Sequence, residues 1–258
     1  MKGIPNSFDL FGINIKFYGV IMALSMLVGV IVACKNSKHR NLVPDNIFTL
    51  AFLVLPFAII GARLFYVLGA NHPYTFIEIL KIWEGGMSIY GGVIGGAIGI
   101  AIFCAVCKKN FFAVGDIACV SLILGQAIGR WGNFFNQEVY GNVVTNSGLQ
   151  WFPFAVLLND GTWHYALFFY ESIINFAIFA VLLILLKKSN KKGVVTGVYL
   201  LSYGLIRFLL EPLRESQYNL MFLGLKLSSL TSAICVLAGI VILVLIYTKS
   251  RRGKIEKK

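Results

Sequence analysis

Phe17-Tyr18-Gly19-Val20-Ile21-Met22-Ala23-Leu24-Ser25-Met26-Leu27-Val28-Gly29-Val30-Ile31-Val32-Ala33, followed at once by Cys34-Lys35-Asn36-Ser37-Lys38-His39-Arg40, decides the fold. The first part carries no charge and no proline, and the second is basic. A helix needs roughly 20 apolar residues to cross a hydrocarbon core about 30 Å thick. A cleavable signal has its basic residues before the apolar stretch and small residues after it. The order here is the reverse, so the segment is expected to stay in the chain as a membrane span.

Six further apolar runs of similar length follow: Ile47–Leu68, Ser88–Val106, Phe111–Ile128, Ala166–Leu186, Val194–Leu210 and Leu227–Tyr247. The composition agrees. Hydrophobic residues make up 58% of the 258-residue chain and charged residues 13%, against about 25% charged in a soluble domain. With a mean hydropathy of +0.79, a water-soluble globule would be covered in apolar patches. The bilayer is the solvent that fits. The net charge of +12 is gathered in short clusters between apolar runs, with no basic–aromatic strip for stacking on bases. Nucleic acid is therefore not an expected partner; topology and anionic headgroups are.

Lys and Arg in the connections set the orientation. With the N-terminus outside, the inner connections and tail hold fifteen and the outer segments six, a clear positive-inside bias. The expected fold is an all-α polytopic membrane protein of about seven transmembrane helices. Its N-terminus is outside and its C-terminus cytoplasmic, and residues 1–258 form one membrane domain. The longest connection, after helix 4, holds Asn142, Asn146, Gly148, Pro153, Asn159, Asp160 and Gly161. These turn residues mark a small outer cap over 139–165. Gly92, Gly96 and Gly99 fall on one helix face, which invites close helix contact. Cys34, Cys104, Cys107, Cys119 and Cys235 lie in or at the ends of apolar runs. No disulfide framework is expected, and the Cys104–Cys107 pair lacks the partners of a metal site. No metal and no cofactor is expected.

An ionisable residue inside a span is costly and marks a candidate functional site. The basic clusters of the inner loops are solvated and need no such explanation. The others collect at the outer face: Arg63, Arg130, Glu138, Glu171, Arg207 and Glu211, with Tyr18 and Tyr90 at the starts of spans. Arg207 and Glu211 are four apart, so they share a helix face, and Pro212 should end or kink that helix. The richest stretch is Gly129-Arg130-Trp131-Gly132-Asn133-Phe134-Phe135-Asn136-Gln137-Glu138. Glycines let backbone approach a ligand, and Arg presents a planar fork suited to phosphate. At headgroup depth the economical ligand is a lipid phosphate.

That stretch resembles the signature of the prolipoprotein diacylglyceryl transferases. Trp83-Glu84-Gly85-Gly86-Met87-Ser88-Ile89-Tyr90-Gly91-Gly92 resembles the family's second hallmark, and Tyr203-Gly204-Leu205-Ile206-Arg207 through Glu211 to Arg214 its third. Lys16-Phe17-Tyr18-Gly19 and Gly61-Ala62-Arg63-Leu64 fit in order. The resemblance runs from about Tyr18 to Ser232. It implies a seven-span transferase of the bacterial cytoplasmic membrane, active toward the outer face. Such an enzyme moves the diacylglyceryl group of phosphatidylglycerol to the lipobox cysteine thiol of a preprolipoprotein. A thioether forms and glycerol 1-phosphate leaves.

Carried over by position, Arg130, Arg207, Glu211, Tyr90 and Glu138 are expected to be catalytic. Arg130, Asn133, Tyr18, Arg63 and Arg207 are expected to bind phosphatidylglycerol. The expected partners are that lipid, lipobox signal peptides and the membrane; the chain is expected to be a monomer. Many members of the family carry His where this chain has Tyr90, and a His-Pro pair where it has Tyr165-Ala166 with His164 one place earlier. The general base is therefore open among Tyr90, Glu138 and His164. Two readings compete with the enzyme. A transporter of an anionic solute would need polar or broken helices at the midplane and often an inverted repeat; neither is visible. An inactive lipid-binding relative would keep the motifs and lose the transfer.

Overall fold

The structure, a computed structural model, describes residues 5–70, 73–82, 85–215, 221–222 and 225–255. Among the described residues, seven helices are long and apolar enough to cross a membrane. They are α1 (Phe17–Asn36), α2 (Pro44–Leu68), α4 (Ile89–Val106), α5 (Phe111–Asn136), α6 (Leu167–Lys188), α7 (Val194–Leu210) and α8 (Leu227–Ile255), with the short α3 (Phe76–Leu80) after α2. Three two-stranded antiparallel hairpins complete the described elements: β1 (Ser7–Leu10) with β2 (Ile13–Lys16), β3 (Ala155–Leu157) with β4 (Trp163–Tyr165), and β5 (Met221–Phe222) with β6 (Leu225–Lys226). The chain is a multi-pass helical membrane protein. Phe52, Leu209 and Leu237 on the helix flanks are exposed, as lipid-facing side chains must be, while the helical fold satisfies the interior backbone groups within each span.

The chain packs as two compact units, Met1–Val32 with Ala118–Lys258, and Ala33–Ile117. In the second unit α2 and α4 meet through glycines. A Cβ on Gly91 would strike the Gly61 carbonyl, and one on Gly95 the Phe57 carbonyl. Gly99 lies against the Val54 backbone. The touching row is Gly91, Gly95 and Gly99 rather than the expected Gly92, Gly96 and Gly99. A Cβ on Gly92 or Gly96 would meet neighbours only at 3.7–3.9 Å, ordinary contact. Two glycine rows one residue apart are equally regular in sequence, and only the partner helix chooses between them.

The same unit corrects the reading of Arg40. It is not part of a solvated cluster: it is 4% exposed, and its Nε donates to Asp116 Oδ2 at 2.7 Å. Asp116, in the first turns of α5, is fully buried. The 3₁₀ turn Ser37–Arg40 is thereby tied to α5.

In the first unit the start of α1 lies on a glycine face of α5. Gly125, Gly129 and Gly132 face Ser25, Met22 and Tyr18 respectively. α7 and α8 approach as closely: a Cβ on Gly239 would come 2.7 Å from the Gly197 carbonyl oxygen. The connection from α5 to α6 is irregular except for a 3₁₀ turn at Ser147–Leu149 and the β3–β4 hairpin, which pairs Ala155 with Tyr165 and Leu157 with Trp163. It covers a small core of Val156, Leu158, Ala166 and Phe168, packed against Trp131 and Phe134.

Two helix ends bear on the site. The expected fourth span stops at Ile128, but α5 runs on for two more turns to Asn136. The whole Gly129–Asn133 motif is therefore helical. α7 ends at Leu210 and passes into a 3₁₀ turn, Glu211–Leu213. That is the stop expected from Pro212, which lacks the N–H a continuing helix would use. His72, and Trp83 and Glu84 of the second motif, lie outside the described residues.

Candidate functional site

The last two turns of α5 carry Arg130, Asn133 and Asn136 on one face. Because the segment is helical, these side chains point the same way at spacings of three. Asn133 is the hub: its amide nitrogen donates to Glu138 Oε1 at 3.0 Å, and its oxygen accepts from Arg130 Nη1 at 3.5 Å. Glu138 is held beside them by its own backbone N–H, which donates to the Asn133 carbonyl. Gln137 and Val139 on either side have positive φ, so the chain reverses sharply there and brings the carboxylate back toward the helix end. The ring of Tyr18 lies over Gly132, with Glu138 and Arg130 as its charged neighbours.

The centre of the site is a residue the sequence singled out as unusual without giving it a role. Glu171, in the second turn of α6, is ion-paired through Oε2 to Arg130 Nη2. Its other oxygen, Oε1, takes Arg207 Nη1 of α7 at 2.8 Å. One carboxylate thus spans guanidiniums from two other helices. Its side chain is 3% exposed, whereas those of Arg130 and Arg207 are 17% and 12% exposed. The arginines are the more exposed members of the cluster and the carboxylate the buried one. Arg207 Nη2 also lies 3.7 Å from Glu211 Oε2, the pairing expected four residues on. Glu211 accepts in turn from the Ser228 hydroxyl of α8 at 2.5 Å. Glu171 could have been found by its neighbours: Glu171, Ser172 and Asn175 form a buried polar face on an otherwise apolar helix.

Arg214 follows in the turn after Glu211. Burial, and then the Arg207 and Arg130 charges, push its guanidinium below the ordinary arginine range. Its backbone pairs with Gly141, while Asn142 holds the Leu213 and Pro212 carbonyls. The cap therefore fixes the turn that carries Glu211 and Arg214.

Several residues do something other than expected. Gly129 and Gly132, read as room for a ligand, are room for α1. Trp131 is held within the protein: its indole donates to Ser172, and its ring packs edge-on against Phe134, Phe168 and Phe169. Gln137 accepts from the Asn159 amide and belongs to the cap. His164 is buried, with Nδ1 2.8 Å from the Gly141 carbonyl and Nε2 2.9 Å from Thr162 Oγ1. A carbonyl only accepts, so Nδ1 donates. Both ring nitrogens serve the cap. Thr162 also donates its hydroxyl and amide to Asp160 Oδ1, which holds that exposed carboxyl below its usual range.

Arg63 and Tyr90 belong to the unit of residues 33–117. Arg63 is 5% exposed and donates to four backbone carbonyls: Glu78 at 2.6 Å, Ile79 at 3.0 Å, Gly86 at 2.9 Å and Gly85. Gly85 and Gly86 both have positive φ. The residue expected to bind lipid thus organises the loop before α4. Four of its five N–H donors are thus engaged by backbone carbonyls. Tyr90, in the first turn of α4, lies beside Phe65 with ring centroids 6.4 Å apart.

The cluster suits an anion with at least two oxygens. Paired guanidiniums bind carboxylate and phosphate by the same planar, two-point geometry. Comparison with known proteins narrows the field. A family model described as prolipoprotein diacylglyceryl transferase matches residues 5–245. A phosphatidylglycerol–prolipoprotein diacylglyceryl transferase of Clostridium botulinum (strain Loch Maree / Type A3) is 37% identical over 96% of this chain and 99% of its own. One of Clostridium perfringens (strain 13 / Type A) is 37% identical over 98% and 97%. One of Clostridium novyi (strain NT) is 35% identical over 93% and 95%.

Proposed function

The chain belongs to the prolipoprotein diacylglyceryl transferase family, and from that premise we propose that it transfers the diacylglyceryl group of phosphatidylglycerol to the lipobox cysteine thiol of a preprolipoprotein, the first step of lipoprotein maturation. The observation that carries this reading to particular residues is the pair of guanidiniums, Arg130 and Arg207, on one buried carboxylate.

In this reading Arg130 and Arg207 hold the lipid phosphate through two of its oxygens. The cysteine sulfur attacks the glycerol carbon that bears the phosphate ester. The C–S bond forms, the C–O bond breaks with its electron pair going to oxygen, and glycerol 1-phosphate leaves. Negative charge grows on the departing phosphate, and fixed cations stabilise it more in the transition state than before. The same cations favour the thiolate over the thiol, whose free pKa is about 8.5. Glu211 orients Arg207. Asn133 and Tyr18 frame the headgroup, and Asn133 links Arg130 to Glu138. Glu138 is the candidate to take the thiol proton, since both nitrogens of His164 serve the cap. Tyr90 is carried as an alternative acceptor by its motif position alone. A phenol with a pKa of about 10 would need help from a cation. In this reading the membrane is the bacterial cytoplasmic membrane, and the loop charges support a topology with the N-terminus and this cluster toward the outer face.

The test is transfer of labelled diacylglycerol to a lipobox peptide by Arg130 variants in phosphatidylglycerol micelles. Arg130→Ala should lower the rate by about 10²–10³-fold, the usual effect of removing one preorganised donor at a developing charge. Arg130→Lys should recover only part of that, since a point charge cannot make the two-point contact. Full activity in Arg130→Ala would refute the clamp.

A further inference from the structure

We infer that Glu171 is the resident anion of the arginine clamp, exchanged for the lipid phosphate on binding and returning to displace glycerol 1-phosphate after transfer. This rests on the clamp reading above and adds to it the means of product release.

Three observations carry it. First, the two Glu171 oxygens reach one guanidinium each, on α5 and α7. That is the arrangement proposed for two phosphate oxygens, so carboxylate and phosphate compete for the same donors. Second, both clamp arginines already have carboxylate partners: Glu171 on Arg130 and Arg207, and Glu211 on Arg207. An arriving phosphate is an excess charge in a poorly solvated place, and the least costly response is for one carboxylate to give up its partners. Third, the guanidiniums are the more exposed members and Glu171 the less. A ligand that reaches the cluster meets the arginines before the carboxylate.

The device answers a chemical difficulty. The lipid is a phosphodiester with one charge, and the product is a phosphomonoester with close to two. Two arginines that bind the first well would hold the second better and turn over slowly. A tethered carboxylate is a competitor at high effective concentration, and it replaces the product without a new molecule having to arrive. Glu171 acts through Arg130 and Arg207 and is a positioning residue, not a catalytic one.

The experiment uses the full chain in detergent micelles with phosphatidylglycerol, a lipobox peptide and added glycerol 1-phosphate. In Glu171→Gln the KM for the lipid and the inhibition constant for glycerol 1-phosphate should each fall by about tenfold, within the ordinary range of coupling between a site and its competitor. kcat should fall with them as release becomes limiting, and Glu171→Asp should return the inhibition constant toward wild type. An unchanged inhibition constant, or a raised KM in folded Glu171→Gln, overturns the inference, because a fixed support for the arginines would weaken binding when removed. Wild-type enzyme gives a second readout that needs no variant. Infrared difference spectra on adding glycerol 1-phosphate should show a carboxylate stretch leaving its ion-paired frequency, and an unmoved band overturns the exchange. If Arg130→Ala is fully active, the clamp itself fails. If Arg130→Ala is impaired while Glu171→Gln keeps the wild-type inhibition constant, only the exchange fails.

Discussion

Four arginines look alike in this sequence, and their partners separate them. Arg130 and Arg207 share a carboxylate and sit at the more exposed side of their cluster. Arg63 is filled by backbone carbonyls, and Arg40 by a buried aspartate. A charge in or beside an apolar helix tells the reader that something must satisfy it. It does not say whether that is a ligand, a carboxylate or a loop. Arg130 and Arg207 stand out in sequence because their motifs are long, and the structure brings them to one carboxylate. The carbonyls that Arg63 meets leave no mark in sequence. The difference is measurable. Arg63→Ala should lower kcat for transfer with little change in lipid KM, and should speed tryptic cleavage at Lys81 in the loop it anchors. Arg63→Lys should repair neither, since an ammonium cannot reproduce a planar fork on four acceptors. A rise in KM alone would return Arg63 to the lipid.

Among the elements, the apolar cores of the seven spans were legible, because runs of about twenty predominantly apolar residues can do little else. The ends were less so. α5 continues through Arg130 because Gly125, Gly129 and Gly132 recur at helical spacing and bed it on α1, while Arg130 and Asn133 share another face. Polarity hid that periodicity. The other end of α5 illustrates the same limit. Asp116 was an acid within an apolar run, and its meaning lay in Arg40, far off in sequence. Removing one partner from such a pair leaves an uncompensated buried charge, so Asp116→Ala should destabilise the protein by about 3–5 kcal/mol in detergent unfolding. The double variant Arg40→Met with Asp116→Leu should regain most of that loss, because paired burial of charge is seldom better than apolar packing. A double-variant loss equal to the sum of the Arg40→Met and Asp116→Leu losses would show that the pair is not coupled.

At the scale of the molecule, the bilayer explains the exposed apolar flanks and the glycine contacts, and the loop charges supply the proposed orientation. The polar cluster needs a different explanation. α5, α6, α7 and the start of α8 each place charged or hydrogen-bonding side chains at one end of the unit formed by residues 1–32 and 118–258. The cap between α5 and α6 holds the Glu211–Arg214 turn in place. Structure alone would build such a cluster only at a cost in desolvation, and a phosphate-bearing substrate gives the cost a purpose. The most direct test of that claim is mass spectrometry of a lipobox peptide after incubation with the purified chain and phosphatidylglycerol. The expected result is one diacylglyceryl group in thioether linkage per cysteine, matched by equal glycerol 1-phosphate, and none on a peptide with serine in its place. A peptide that stays unmodified in the presence of folded protein and lipid would contradict the account.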